Sequence, residues 1–178
     1  MSTPPLRLFF ALPCPDDVRT PLCTWRDSLA IDGQPVAPAN LHMTLAFLGA
    51  VPRGRKAELF ALGAGMPREP FDLHLDQLVL WRSGILHLAP SQFPEALPAL
   101  VHALHQALCA GGFEIEKRPF RPHLTLARHC RHLPEGQASF HWPARSLVLY
   151  SSENSARGTQ YRAIGEWPLH GATLLSPD

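Results

Sequence analysis

NLHMTLAFLG (residues 40–49) and RPHLTLARHC (residues 121–130) share the pattern His-x-Thr-Leu-Ala, about half a chain length apart. Both are rich in β-formers and read as strands. In a strand, side chains two apart point to one face. His42, Thr44 and Ala46 therefore share one side, and Leu41, Met43, Leu45 and Phe47 share the other, directed at the core. The second copy repeats this with His123, Thr125 and Ala127 opposite Leu124 and Leu126. Each copy presents an imidazole beside a hydroxyl, with a small alanine leaving room next to them.

Outward from these strands the chain divides into two similar halves. LRLFFAL (6–12) is an apolar β-type run, and CPDDVRTPLCTWRDSLA (14–30) supplies a helix with acids at its start, Pro21 falling early in it or kinking it. RGRKAELFALGAGM (53–66) has helical spacing and ends in glycines. FDLHLDQLVLW (71–81) alternates as a strand, with GILHLAP (84–90) as its antiparallel partner across a turn at Arg82–Ser83. In FPEALPALVHALHQALCAGG (93–112), Leu97, Leu100, Val101, Leu104 and Leu108 form one helical stripe closed by Gly111–Gly112. RPFRPHLTLARH (118–129) admits a strand but, with two prolines, no helix. ARSLVLYSSENSARGTQYRAIGEWPL (144–169) reads as two strands joined by a polar loop over 152–159. This order fits α+β lobes with antiparallel sheets better than an alternating parallel sheet.

Bulk properties narrow the function classes. A chain of 178 residues suits one compact domain, spanning 1–178 and built of two halves. With 12 Gly and 19 Pro it stays short of the ~25–30% of a low-complexity chain, and 46% hydrophobic content predicts a folded globule. A net charge of +1 argues against wrapping long nucleic acid by bulk electrostatics, so an anionic ligand must be met locally. The four cysteines form no CxxC pair, no signal peptide is evident, and no apolar run reaches the ~18–20 residues of a membrane span. The expectation is a reduced, cytoplasmic, monomeric protein that does not engage a membrane.

Two histidines on opposite walls of one cleft offer an acid and a base near neutrality, since an unperturbed imidazole titrates at about 6.5. Two threonine hydroxyls donate to charged oxygens. That set suits in-line hydrolysis of a phosphodiester, one imidazole taking a proton from water and the other protonating the leaving oxygen. One His-x-Thr in a strand is ordinarily structural; two copies in matching elements favour chemistry, although duplication also preserves a packing pattern.

The paired motifs, the opening RLFFALP, NLHMTLAFLG, RPFRPHLTLAR and the closing LYSSENSARGTQY together resemble the 2H phosphoesterase superfamily, and within it the RNA 2′,3′-cyclic phosphodiesterases once called 2′-5′ RNA ligases. The resemblance runs from Leu6 to about Leu169. It implies a bilobal, pseudo-two-fold α+β fold in which two antiparallel sheets line a central cleft with helices outside. It implies no metal and no cofactor, and hydrolysis of an RNA or nucleotide 2′,3′-cyclic phosphate to a 2′-phosphomonoester. By the same resemblance His42 is the proton donor, His123 the acceptor, and Thr44 and Thr125 bind phosphate. An aromatic of the first strand, Phe9 or Phe10, packs on the nucleoside, and Arg128 binds substrate. Strict alternation puts Arg128 opposite His123, so it reaches the cleft only where the strand ends or bulges. Two other outcomes compete: ligation through a 2′-5′ bond, by microscopic reversibility, and a module that only binds nucleotides or RNA ends, which would need no acid and base.

Other features have plainer readings. Lys117, Arg118, Arg121, Arg128 and Arg131 occupy a segment without acids, either a solvated rim or a local positive field. His102 and His105 lie off or at the edge of their helix stripe and read as surface residues. His74 and His87 are expected as neighbours across a hairpin. His129, Cys130 and His132 lack the second cluster a zinc site of this spacing needs. RGRK (53–56) is a helix entrance, and no Walker-type loop is present.

Overall fold

The computed structural model describes residues 3–170; residues 1–2 and 171–178, which the single-domain reading of 1–178 includes, lie outside them. In chain order come β1 (Leu6–Pro13), α1 (Asp16–Asp27), β2 (Gln34–Pro35), β3 (His42–Val51), α2 (Lys56–Ala64), β4 (Phe71–Leu75), β5 (Gln77–Leu80) and β6 (Leu86–Ala89). Then follow α3 (Ala96–Ala110), β7 (Leu124–Arg128), β8 (Phe140–Ala144), β9 (Ser146–Ser155) and β10 (Gly158–Pro168). The fold is α+β, and the strand pairs are antiparallel.

Two four-stranded sheets, ordered β10-β9-β1-β3 and β2-β7-β6-β5, each carry one motif strand. A third ladder, β4-β8, departs from the two-sheet expectation. The break falls at Asp76, whose carboxylate accepts the Ser91 N–H at 2.8 Å and the Ser91 hydroxyl. The run 71–81 is divided there: β4 leaves to pair with β8, and only β5 forms the expected hairpin with β6. His74 consequently lies opposite His141, their rings stacked 4.5 Å apart, and is not the neighbour of His87. The loop expected over 152–159 is also shorter, because β9 continues to Ser155 and the turn closes through Gly158 at φ 98°.

The apolar faces of both large sheets meet in one core. Leu8, Phe10, Leu12, Met43 and Leu45 from the first sheet join Leu88, Leu124 and Leu126 from the second. The five stripe residues of α3 are all buried in it, and the helix ends at Gly111, with Gly112 at φ 77°. Pro21 lies inside α1. The four cysteines are free thiols. No described helix is long and apolar enough to cross a membrane.

Helix α2 docks on β10 through a close approach. A Cβ on Gly63 would fall 2.5 Å from the Trp167 ring, which itself packs near Phe10. Alanine is about 1 kcal/mol better than glycine inside a helix, but overpacking here costs about 1–3 kcal/mol. Gly63→Ala is therefore expected to destabilise the protein in urea melts; a gain in stability would mean that α2 is free to move off Trp167.

Candidate active site

Strands β3 and β7 touch, and they set both motifs on one cleft of about 830 Å³. His42 and Thr44 line it from one side, His123 and Thr125 from the other. His123 sits one residue before β7, following Pro122, which has no N–H to pair in a ladder.

The five-residue length of the repeat has a backbone explanation. Between Ala46, opposite Phe10, and Thr44, opposite Ala11, β3 holds one extra residue, Leu45. Between Ala127, opposite Leu86, and Thr125, opposite His87, β7 holds the extra residue Leu126. Each motif thus carries a β-bulge at its Leu, which resets the alternation beyond it. Phe47 turns from the core to the cleft and is 40% exposed, against the expectation that it shares the core face. Arg128, at the equivalent place in the second motif, likewise lines the cleft.

A bulge leaves its carbonyl without a ladder partner. From α3, His105 Nε2–H donates to the Leu45 carbonyl at 3.0 Å. The Leu126 carbonyl takes the Val36 N–H at 2.8 Å and, more weakly, the Arg26 guanidinium at 3.5 Å. His105 is therefore no plain surface residue, whereas His102 is exposed. Losing a partner to a shielded carbonyl costs about 1–3 kcal/mol. His105→Ala should lower the unfolding free energy by that amount in denaturant titrations, and His105→Gln, whose amide still donates, should lose less; equal losses would remove the hydrogen bond from this account.

Both motif histidines are pinned the same way. His42 Nδ1 lies 2.7 Å from the Asn40 carbonyl and His123 Nδ1 lies 2.7 Å from the Arg121 carbonyl. A carbonyl only accepts, so each Nδ1 carries the proton and each neutral ring has its lone pair on Nε2. His42 Nε2 accepts the Thr44 hydroxyl at 2.8 Å. His123 Nε2 and the Thr125 hydroxyl have no protein partner among the described residues. Burial pushes His42 down to about 4, opposed by the Asn40 carbonyl and aided by the charges of Arg128 and His123. Burial also lowers His123, with Arg128 adding to it.

The surroundings of the two rings differ. Behind His42 stand Phe9 and Tyr161, their ring centroids 5.0 Å and 5.1 Å away. Against His123 lie Trp81 at 4.6 Å and His87 at 5.4 Å, and burial drives His87 down to about 4. The nucleoside contact expected of the first strand is not available there. Phe10 is fully buried beside Trp167, and Phe9 is 3% exposed and packed behind His42, because adjacent strand residues face opposite ways and neither way opens to the cleft. The cleft aromatics are instead Phe47, Trp81 and Phe120. Phe47 was hidden by the bulge; Phe120 stood in the basic segment, and Trp81 beside the hairpin turn, as the only signals of them.

His129, Cys130 and His132 do not converge: His132 bonds the Asp32 carboxylate at 2.9 Å, and Cys130 is buried. Among the described residues no group of three or more His, Cys, Asp or Glu is placed to hold a metal ion.

With this geometry in hand, residues 12–87 match the family model described as LigT like Phosphoesterase. The chain is 35% identical over 172 residues to the RNA 2′,3′-cyclic phosphodiesterase of Escherichia coli strain K12, covering 93% of this chain and 97% of that one. The chain belongs to the LigT-like phosphoesterases. Among solved members of this family, E. coli LigT in apo form superposes with a TM-score of 0.86 at 32% identity, covering 95% of this chain and 100% of that one. The crystal structure of E. coli LigT complexed with 3′-AMP gives a TM-score of 0.85 at 31% identity, with the same coverage. Family membership thus agrees with the antiparallel α+β sheets seen in the fold.

Proposed function

We propose that this phosphoesterase hydrolyses the 2′,3′-cyclic phosphate at an RNA or nucleotide end to a 2′-phosphomonoester, with His42 as acid and His123 as base. The observation that carries this reading is the pair of imidazoles with pinned Nδ1–H groups on the two motif strands of a single cleft. The names of the E. coli relative and of its complex with 3′-AMP support the same class of ligand.

In the reaction His123 Nε2, free of a protein partner, takes a proton from water as its oxygen bonds to phosphorus. The P–O3′ bond breaks in line, and His42 Nε2–H delivers a proton to that oxygen. Thr44, Thr125 and Arg128 hold the non-bridging oxygens, Thr44 exchanging its bond to His42 for one to phosphate. Replacing either histidine by alanine should cost on the order of 10²–10⁴-fold in kcat. The assay is turnover of an oligoribonucleotide with a 2′,3′-cyclic phosphate end, with EDTA present; a loss below tenfold for either variant would count against the acid–base pair.

The pH dependence follows from burial. The active form needs His42 protonated and His123 neutral, yet burial holds His42 near 4 in the free protein and lowers His123 from 6.5. Lowered values move both limbs of the kcat/KM profile to the acid side of 6.5, as apparent values of the coupled pair. A bound phosphodiester anion favours imidazolium and opposes burial, so the kcat profile should sit at higher pH than that of kcat/KM. Matching maxima above pH 7 would contradict this electrostatic account.

Product regiochemistry tests the two roles separately from the activity. With His42 beside the 3′-oxygen, an end-labelled substrate should yield the 2′-phosphate. A predominant 3′-phosphate would mean that the histidines have exchanged roles.

A further inference from the structure

The two walls of the cleft carry different charge. On the β3 side the lining residues His42, Thr44 and Phe47 include no lysine or arginine, whereas Arg82, Arg118, Arg121 and Arg128 line the other side. The single lining acid, Glu116, is already paired with Arg118. Arg82, Arg121 and Arg128 are exposed and in no ion pair among the described residues. The reacting phosphate accounts for Arg128, whose charge acts on both motif histidines. It leaves two guanidiniums over.

Both are rooted next to His123. Arg82 follows Trp81, whose ring is 4.6 Å from the His123 ring, and the Arg121 carbonyl holds His123 Nδ1 at 2.7 Å. Phe120 lines the cleft beside Arg121. Guanidiniums interleaved with aromatic rings are the means by which proteins hold single-stranded nucleic acid, the cations following phosphates and the rings stacking bases.

We propose that Arg82 and Arg121 form a second phosphate subsite. It takes the internucleotide phosphate on the 5′ side of the reacting terminus, so the cleft favours the end of a single-stranded RNA chain over a lone nucleotide. This rests on the functional reading above and adds to it a basis for substrate length.

The test compares a 2′,3′-cyclic mononucleotide with a short oligoribonucleotide bearing the same cyclic end, across a salt series. In the wild type, kcat/KM for the oligonucleotide should exceed that for the mononucleotide by about tenfold or more at low salt, and should fall more steeply with salt. The Arg82→Ala, Arg121→Ala double variant should bring the ratio of the two substrates close to one. It should also reduce the slope of log kcat/KM against log salt by about 0.7, the value for one neutralised phosphate on a single strand. Lysine at both positions, which keeps the charge and loses the fork, should restore most of the slope. Equal kcat/KM for both substrates in the wild type, or a variant that weakens both substrates by the same factor, overturns the subsite while hydrolysis stands. Absence of turnover on either substrate overturns the hydrolytic reading and the subsite with it.

Discussion

An extra residue inside each motif, Leu45 in β3 and Leu126 in β7, is the constraint on which the cleft depends. A regular ladder would keep every second side chain on the cleft face through the whole motif. The bulge lets His and Thr follow that rule and then delivers Phe47 and Arg128 to the same cavity. The Leu45 carbonyl is satisfied from α3 by His105, and the Leu126 carbonyl by the Val36 N–H beside β2, with Arg26 of α1 at a longer 3.5 Å. Helix placement and site geometry are thus one problem with a shared solution.

Two copies of one motif do not place their histidines in equivalent surroundings. Both imidazoles have the same Nδ1 anchor, so their difference arises in the environment. His42 is backed by Phe9, Tyr150 and Tyr161 and already engaged by Thr44, while His123 lies among Trp81 and His87 with its Nε2 open. Burial opposes charge on both rings. A bound phosphate anion would favour the imidazolium form and oppose that bias.

The symmetry is broken a second time in the charge of the walls. The residue after each His-x-Thr-Leu-Ala is phenylalanine in one copy and arginine in the other, and the bulge brings both to the cavity. An apolar, aromatic side faces a cationic one, a division suited to a ligand that is itself part base and part phosphate.

Much of this was legible in the linear chain. Period-two alternation placed His42 and Thr44, and His123 and Thr125, on shared faces, and the stripe on α3 and its glycine stop followed from helical periodicity, because these depend on local geometry alone. The split of 71–81, the pairing of His74 with His141, the retreat of Phe9 and Phe10 from the cleft and the emergence of Phe47 did not follow. Each turns on a contact between residues distant in sequence: Asp76 with Ser91, β4 with β8, Phe10 with Trp167, the Leu45 carbonyl with His105. Residue identity and spacing determined which polar side chains the two motif strands carry and that His and Thr share a face. Where each group points was decided only when strands paired, since a one-residue bulge shifts the side chains that follow it to the other face until another irregularity, such as the one at Leu48 in β3, shifts them back, and only the tertiary structure says where those residues are inserted.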